Sequence, residues 1–264
     1  MSNLRKYGNA PYRVAVVHGG PGGLGQVAPV ARELSSFCGI LEPLQTASSI
    51  DGQIEELHDI LTKNSDLPVT LIGHSWGGML SLLFASRHKS IVEKLILVSC
   101  GPLDPAFTSA DVMKNRMERM SAQEKTEFDR LAEQLKSPDM NEKRAAFARL
   151  CQWATKVDSF EPIAHAEELI EPQYDIFETV WKEAENLRSA GGFVDAVKGI
   201  ECPVLAIHGD YDPHPPHAIQ SLLSRELRDF RFVLLERCGH YPWIEKQAHE
   251  AFFGILRNEL RLPA

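Results

Sequence analysis

The sequence predicts an α/β fold: a mostly parallel sheet covered by helices on both faces, with a helical insertion between two strands. Three observations predict it. Short β-branched or leucine-rich runs alternate with longer helical patterns, as strands buried on both faces require. One such run passes through Gly73-His74-Ser75-Trp76-Gly77 straight into a helical pattern. The stretch from Asp104 to Lys198 contains no convincing strand and carries many charges.

The chain can afford a full core at this length. It has 264 residues, 44% apolar and 24% charged, an ordinary globular balance for one domain with an insertion. Its 28 basic against 36 acidic residues give a net charge of −8, which argues against a nucleic-acid partner, since phosphate binding needs clustered cations. No apolar run approaches the ~18–20 residues of a membrane span. The N-terminal MSNLRKYGNAPYRVAVV lacks an apolar signal region, and the five cysteines (Cys38, Cys100, Cys151, Cys202, Cys238) lie far apart without CxxC spacing. Both features read as a protein of the reducing cytoplasm.

The strand candidates, in order, are Arg13–Val17, Phe37–Leu41, Val69–Ile72, Lys94–Val98, Val204–Ile207 and Arg231–Leu235. Between the second and third, Ile54, Leu57, Ile60 and Leu61 form one apolar helical stripe, with Asp51 as the expected N-cap. Near the C-terminus Ala248, Phe252, Ile255 and Leu256 repeat that spacing. Residues 1–103 and 199–264 thus read as the α/β core and 104–198 as a helical cap above the sheet's C-terminal edge, where open α/β sheets bind ligands.

The strongest chemical signal is VTLIGHSWGG followed by MLSLLFASRH, a G-x-S-x-G in strand–turn–helix context. So tight a turn needs small neighbours, which Gly73 and Gly77 supply, and it lifts the Ser75 hydroxyl above the sheet. A serine hydroxyl needs a base, and the base a carboxylate to orient it. Asp212 follows one strand in His208-Gly209-Asp210-Tyr211-Asp212, and His240 follows the next in Cys238-Gly239-His240-Tyr241-Pro242. Asp210 is the second choice for the acid. Of the ten histidines, His74 reads as a local packing group and His208 as a satisfied polar group beside the site. His214 and His217 form H-x-x-H, but Pro213, Pro215 and Pro216 disfavour the helix that would make it a metal site, so no metal is expected.

A third element is His18-Gly19-Gly20-Pro21-Gly22-Gly23, a glycine-rich turn after a strand. With no Lys-[ST] and no GxGxxG register it is not a nucleotide loop. It can instead bring the Gly20 N–H beside the Trp76 N–H as a two-donor oxyanion hole. HGGPGG, GHSWGG, GDYD and GHYP, in this order, resemble the α/β-hydrolase superfamily over nearly the whole chain, and are most similar to its proline iminopeptidase group. The resemblance implies acylation of Ser75, proton transfer through His240 and orientation by Asp212, with no cofactor. Two departures stand out. Family members commonly place two strands before the HG strand, whereas about a dozen residues precede it here, so that N-terminal pair is expected to be missing. The continuation GDYDPHPPHA is also unusual.

The insertion bears on the substrate. From Glu161 to Glu185 eight acidic residues (Glu161, Glu167, Glu168, Glu171, Asp175, Glu178, Glu183, Glu185) face one Lys182. One of these carboxylates in the pocket would hold a substrate ammonium; the alternative is a solvated helix face. Trp153, Phe160, Trp181 and Phe193 either line an acyl pocket or form the cap's own core. The expected substrate is a small molecule or short peptide with a free amino terminus. An apolar ester or carbon–carbon bond substrate, or a ligand-binding role without turnover, stands as the alternative.

Overall fold

In the computed structural model, which describes residues 3–164, 170 and 172–262, seven strands form one sheet in the order β1-β3-β2-β4-β5-β6-β7. The strands are β1 (Leu4–Tyr7), β2 (Tyr12–Val17), β3 (Gly39–Pro43), β4 (Val69–His74), β5 (Val92–Val98), β6 (Val204–Gly209) and β7 (Phe230–Leu235). β1 runs antiparallel to β3, and the remaining pairs are parallel. The sequence predicts that no strand pair precedes the HG strand; among the described residues one strand, β1, precedes β2 and lies at the sheet's edge. Its sequence LRKY carries two cations and little apolar surface. That suits an edge, where charge deters pairing with other chains, and hides the strand from a search for apolar runs. β3 starts two residues later than expected because the Phe37 and Cys38 amides both donate to the Leu34 carbonyl, closing the preceding helix.

Alternation along the strands builds two cores. Val14, Val16, Ile40, Ile72, Ile96, Leu205 and Ile207 face one side, against α1 (Ala28–Leu34) and α10 (His249–Glu259). Ala15, Val17, Leu41, Leu71, Leu95, Leu97 and Ala206 face the other. There they meet α2 (Ile50–Asn64), α3 (Trp76–Arg87) and α9 (Pro216–Glu226). Both faces are therefore apolar, which is why the strands read as near-continuous apolar runs. The α2 stripe is buried as expected, but its N-cap is Ser49, whose Oγ accepts the Gly52 N–H at 3.1 Å. Asp51 sits in the first turn and pairs outward with Arg87 at 2.7 Å.

Among the described residues five helices lie between the end of β5 and the start of β6: α4 (Ser109–Arg119), α5 (Ala122–Gln134), α6 (Met140–Val157), α7 (Tyr174–Ser189) and α8 (Gly192–Lys198). α4, α5 and α6 share a small cluster of their own around Met120, Trp153 and Val157. α7 and α8 instead send Ile176, Val180, Ala184, Phe193 and Val197 into the main core beside α3. Among the described residues no helix is long and apolar enough to cross a membrane.

Phe252 is fully buried while Leu234 on β7 is 48% exposed. Phe252→Ala should cost about 3–5 kcal/mol of stability and Leu234→Ala less than about 1 kcal/mol, read as the difference in urea midpoints.

Candidate active site

Four loops meet at the C-terminal ends of the parallel strands: those after β2, β4, β6 and β7. Ser75 joins β4 to α3 with φ 51° and ψ −115°, a left-handed turn that costs a non-glycine residue of order 1–3 kcal/mol. The turn is possible because a side chain at Gly77 would run into the carbonyls of Val17 and His18, and one at Gly73 into the backbone of Gly77 and Gly78. The Ser75 N–H donates to the Val98 carbonyl at 2.9 Å, which holds the turn on β5. Trp76 opens α3, so its N–H has no acceptor within the helix. Its buried indole N–H donates to Gln53 Oε1 at 2.9 Å, and Gln53 in turn donates to the Ala47 carbonyl at 3.0 Å.

The loop after β2 is shaped by His18 and Gln26. Buried His18 donates from Nδ1 to the Gly19 carbonyl at 2.9 Å and accepts the Gln45 N–H on Nε2 at 3.3 Å, which assigns a neutral ring. Gln26 Oε1 accepts the Gly19 N–H at 3.0 Å. Gly20 has φ 45° and faces open space where a Cβ would stand, while Pro21 follows it into the turn closed by Gly23 N–H to the Gly20 carbonyl at 2.9 Å.

Asp212 and His240 meet directly: Nδ1 of His240 lies 2.8 Å from Oδ2 of Asp212, and both are buried. A carboxylate only accepts, so this bond fixes the proton of His240 on Nδ1 and leaves Nε2 free to take another. Burial would raise the Asp212 carboxyl, yet His240, His208 and His214 facing it hold it well below the usual range. Asp210 is exposed and accepts the Cys238 N–H at 3.1 Å, so it has no bond to His240. The turn of Ser75 is tied to the loop of His240 through its neighbour: His74 Nε2 donates to the His240 carbonyl at 2.9 Å.

H-x-x-H is divided as the prolines require. His214 precedes α9 and turns to Asp212, whereas His217 lies within the helix, against Phe107. Pro216 opens α9 rather than preventing it, since a first-turn proline lacks only an N–H that would be unpaired anyway. Asp212, His214 and His240 place three possible metal-ligand atoms within 4.8 Å of one another. The Nδ1 atoms of both histidines are donors in hydrogen bonds to the Asp212 carboxylate.

Sequence reasoning missed the groups that hold His240 from above. Glu245 is fully buried and its carboxylate accepts three amides: Phe160 at 2.7 Å, Glu161 at 2.8 Å and Gly239 at 2.9 Å. Asp158 ends α6 and its carbonyl accepts the His240 N–H at 2.8 Å. Its buried carboxylate takes a two-armed pair from Arg116 of α4, with Nε to Oδ1 at 2.8 Å and Nη2 to Oδ2 at 2.5 Å. No local pattern marks Glu245 or Asp158 in the sequence: Phe160 lies 85 residues from Glu245 and Arg116 lies 42 from Asp158.

The described members of the acidic stretch are each engaged by a partner outside the Asp212–His240 pair. Glu161 pairs with Lys246, Asp175 with Arg144, Glu178 with the Tyr174 hydroxyl, Glu183 with the Ile50 amide and Glu185 with the Ser109 hydroxyl. Glu167, Glu168 and Glu171 lie outside the described residues. Of the aromatics, Trp153 and Phe193 are core, Trp181 stacks on Phe177, and Phe160 packs edge-on against Tyr211 at 5.3 Å.

The chain belongs to the alpha/beta hydrolase family, which it matches over residues 14–254. It is 24% identical to a proline iminopeptidase of Saccharolobus solfataricus over 89% of this chain and 81% of that protein. It is 22% identical to human monoacylglycerol lipase ABHD6 over 75% of this chain, a match that spans 57% of the lipase. The crystal structure of the meta-cleavage product hydrolase CumD of Pseudomonas fluorescens shares its fold, with TM-score 0.66 and 14% identity over 98% of this chain and 93% of that one.

Burial drives five histidines below their ordinary value: partly exposed His88 and the fully buried His18, His74, His208 and His214, the last to about 4. The unfolded chain protonates them below about pH 6.5, while the fold keeps them neutral. Stability should be full above that pH and fall as pH drops through it, by up to about 1.4 kcal/mol per pH unit for each histidine. Urea midpoints measured from pH 8 down to pH 5 check this; a flat profile would contradict it.

Proposed function

We propose that the chain is a serine hydrolase that cleaves a small carbonyl substrate through an acyl-enzyme. Ser75 Oγ attacks the carbonyl carbon while His240 Nε2 takes its proton, and the N–H groups of Gly20 and Trp76 receive the developing oxyanion. The leaving group departs with the proton from His240, and water then repeats the sequence to release the acid. The helices of residues 104–198 act as a cap over this edge. The reading rests above all on the buried Asp212–His240 bond, which belongs to the same sheet edge as the strained turn at Ser75. Five unpaired thiols favour a reducing compartment, and the cytoplasm is the proposed location.

The engaged acidic side chains order the substrate classes. A free amino terminus needs a carboxylate in the pocket, and the described members of the acidic stretch are each committed to another group. An uncharged acyl group in an ester or at a carbon–carbon bond is therefore the preferred substrate, in keeping with a human relative that is a lipase. The aminopeptidase reading rests on HGGPGG, GHSWGG and the archaeal iminopeptidase relative, and requires Glu167, Glu168 or Glu171 to reach the pocket.

Ser75→Ala should abolish hydrolysis of short-chain p-nitrophenyl esters and labelling by a fluorophosphonate; wild-type turnover in that variant would sink the assignment. Prolyl- and alanyl-arylamides, assayed on the same preparation, should be cleaved far more slowly than the esters. Arylamide cleavage that vanishes when the substrate amine is acetylated would instead establish the aminopeptidase. Asp212→Asn should lower kcat by roughly 10³–10⁴-fold. Asp210→Asn should stay close to wild type in the same ester assay, because its carboxylate does not contact His240.

A further inference from the structure

His214 enters none of the steps above, yet it contacts Asp212 as closely as the base does. Its Nδ1 lies 2.8 Å from Asp212 Oδ1, and its backbone N–H donates to the same oxygen at 2.9 Å. On the opposite side Oδ2 carries His240 Nδ1 at 2.8 Å. The backbone bond is the ordinary turn of an aspartate onto the amide two residues on. The imidazole bond is additional, and it places the two rings against each other with centroids 4.6 Å apart and planes 31° apart. His214 is fixed in turn, since His208 Nε2 donates to its carbonyl at 2.9 Å and Asn115 of α4 donates to the Pro213 carbonyl at 2.7 Å.

We propose that His214 is a positioning residue for the acid–base pair: it clasps Oδ1 of Asp212 while His240 takes Oδ2, fixing the plane of the carboxylate and dividing its charge between two imidazoles. This rests on the reading of Ser75, His240 and Asp212 as the catalytic groups. An ionised carboxylate accepts only, so the His214 proton is on Nδ1, and burial pushes this histidine down to about 4, leaving Nε2 bare at neutral pH. His214 is therefore a neutral donor, and its bond draws charge away from Oδ2. When His240 takes the serine proton, the imidazolium faces a carboxylate already half engaged. It is less stabilised than one beside an unshared aspartate.

The other charged and titratable groups around the cluster come from every packed element. His74 at the end of β4 holds the His240 carbonyl, and His208 at the end of β6 approaches Asp212 Oδ2 to 3.5 Å. Cys100 after β5 and Cys238 after β7 face Asp212, and burial pushes both thiols up, so they are neutral. Tyr241 packs edge-on against His240 at 5.0 Å, its hydroxyl also raised by burial. Arg116 of α4 faces both His214 and Asp212, and its charge is matched by Asp158. At pH 5 to 8 the group whose hydrogen bond to Asp212 can be removed without touching the base, its backbone ties or the Arg116 pair is His214.

The test is the pH profile of kcat/KM for a short-chain p-nitrophenyl ester in wild type, His214→Phe and His214→Asn. The phenyl ring keeps the shape and loses the donor; the asparagine amide restores a donor near the position of Nδ1. His214→Phe should move the acid limb up by roughly half to one pH unit. His214→Asn should return the limb toward its wild-type position. A merely structural role would lower the plateau and leave the limb where it was, and an unmoved limb in folded His214→Phe overturns the proposal. Should the phenylalanine variant fail to fold, nitrogen-15 NMR of the histidines in wild type decides: His214 is expected neutral with its proton on Nδ1 from pH 5 to 8, and a proton on Nε2 overturns the clasp. Ser75→Ala in the same assay separates the two levels. Turnover by that variant removes the underlying reading, whereas its inactivity with an unmoved limb removes only the role of His214.

Discussion

A buried strand must become a buried helix within one residue, and the rest of the site depends on how that is done. At Ser75 the backbone takes φ 51°, a conformation that side chains normally avoid. The sheet supplies the compensation. The amide of Ser75 bonds to β5, the carbonyls of Val17 and His18 from β2 press against Gly77, and Cys100 fills the space beside Gly78. Because those contacts come from the two neighbouring strands, the order β2-β4-β5 is itself part of the support of the Ser75 turn. The same turn opens α3 at Trp76, at the helix end whose dipole favours negative charge.

The partner side of the site is organised by polar groups taken wholly out of water. Asp212 and Glu245 are buried carboxylates that are tolerable because each is met by several donors. One is surrounded by imidazoles, which gather around a functional group; the other by main-chain amides, which gather a fold. Arg116 and Asp158 add an ion pair whose carboxylate is shielded from solvent, joining α4 to the end of α6. Removing Arg116 would strand the Asp158 carboxylate in a place that water does not reach, whereas the Arg116 side chain is itself 20% exposed.

What the sequence disclosed follows from the range of the interactions involved. The sheet strands were legible because each face alternates into an apolar layer, and the turn at Ser75 because its steric demands fall on residues two positions away. Asp212 and His240 were legible through their place after strands, although their mutual bond spans 28 residues. β1 was hidden by its edge position and its charges. Glu245, Asp158 and Arg116 were hidden because nothing local to them distinguishes a clamp from a surface charge. His214 was visible only as part of an odd run of prolines and histidines; its meaning lies in the direction its ring takes, which spacing does not encode.

The clamp at Glu245 has a bearing on how this roof can be varied. The amides of Phe160 and Glu161 and the carbonyl of Asp158 belong to the chain that follows α6, while Gly239 and His240 belong to the base's own loop. The helical insertion is therefore not a module that can be exchanged at its two ends alone. A transplanted or shortened insertion would have to preserve this third seam in its interior, a seam to which α5 and the first turns of α6 contribute no residue.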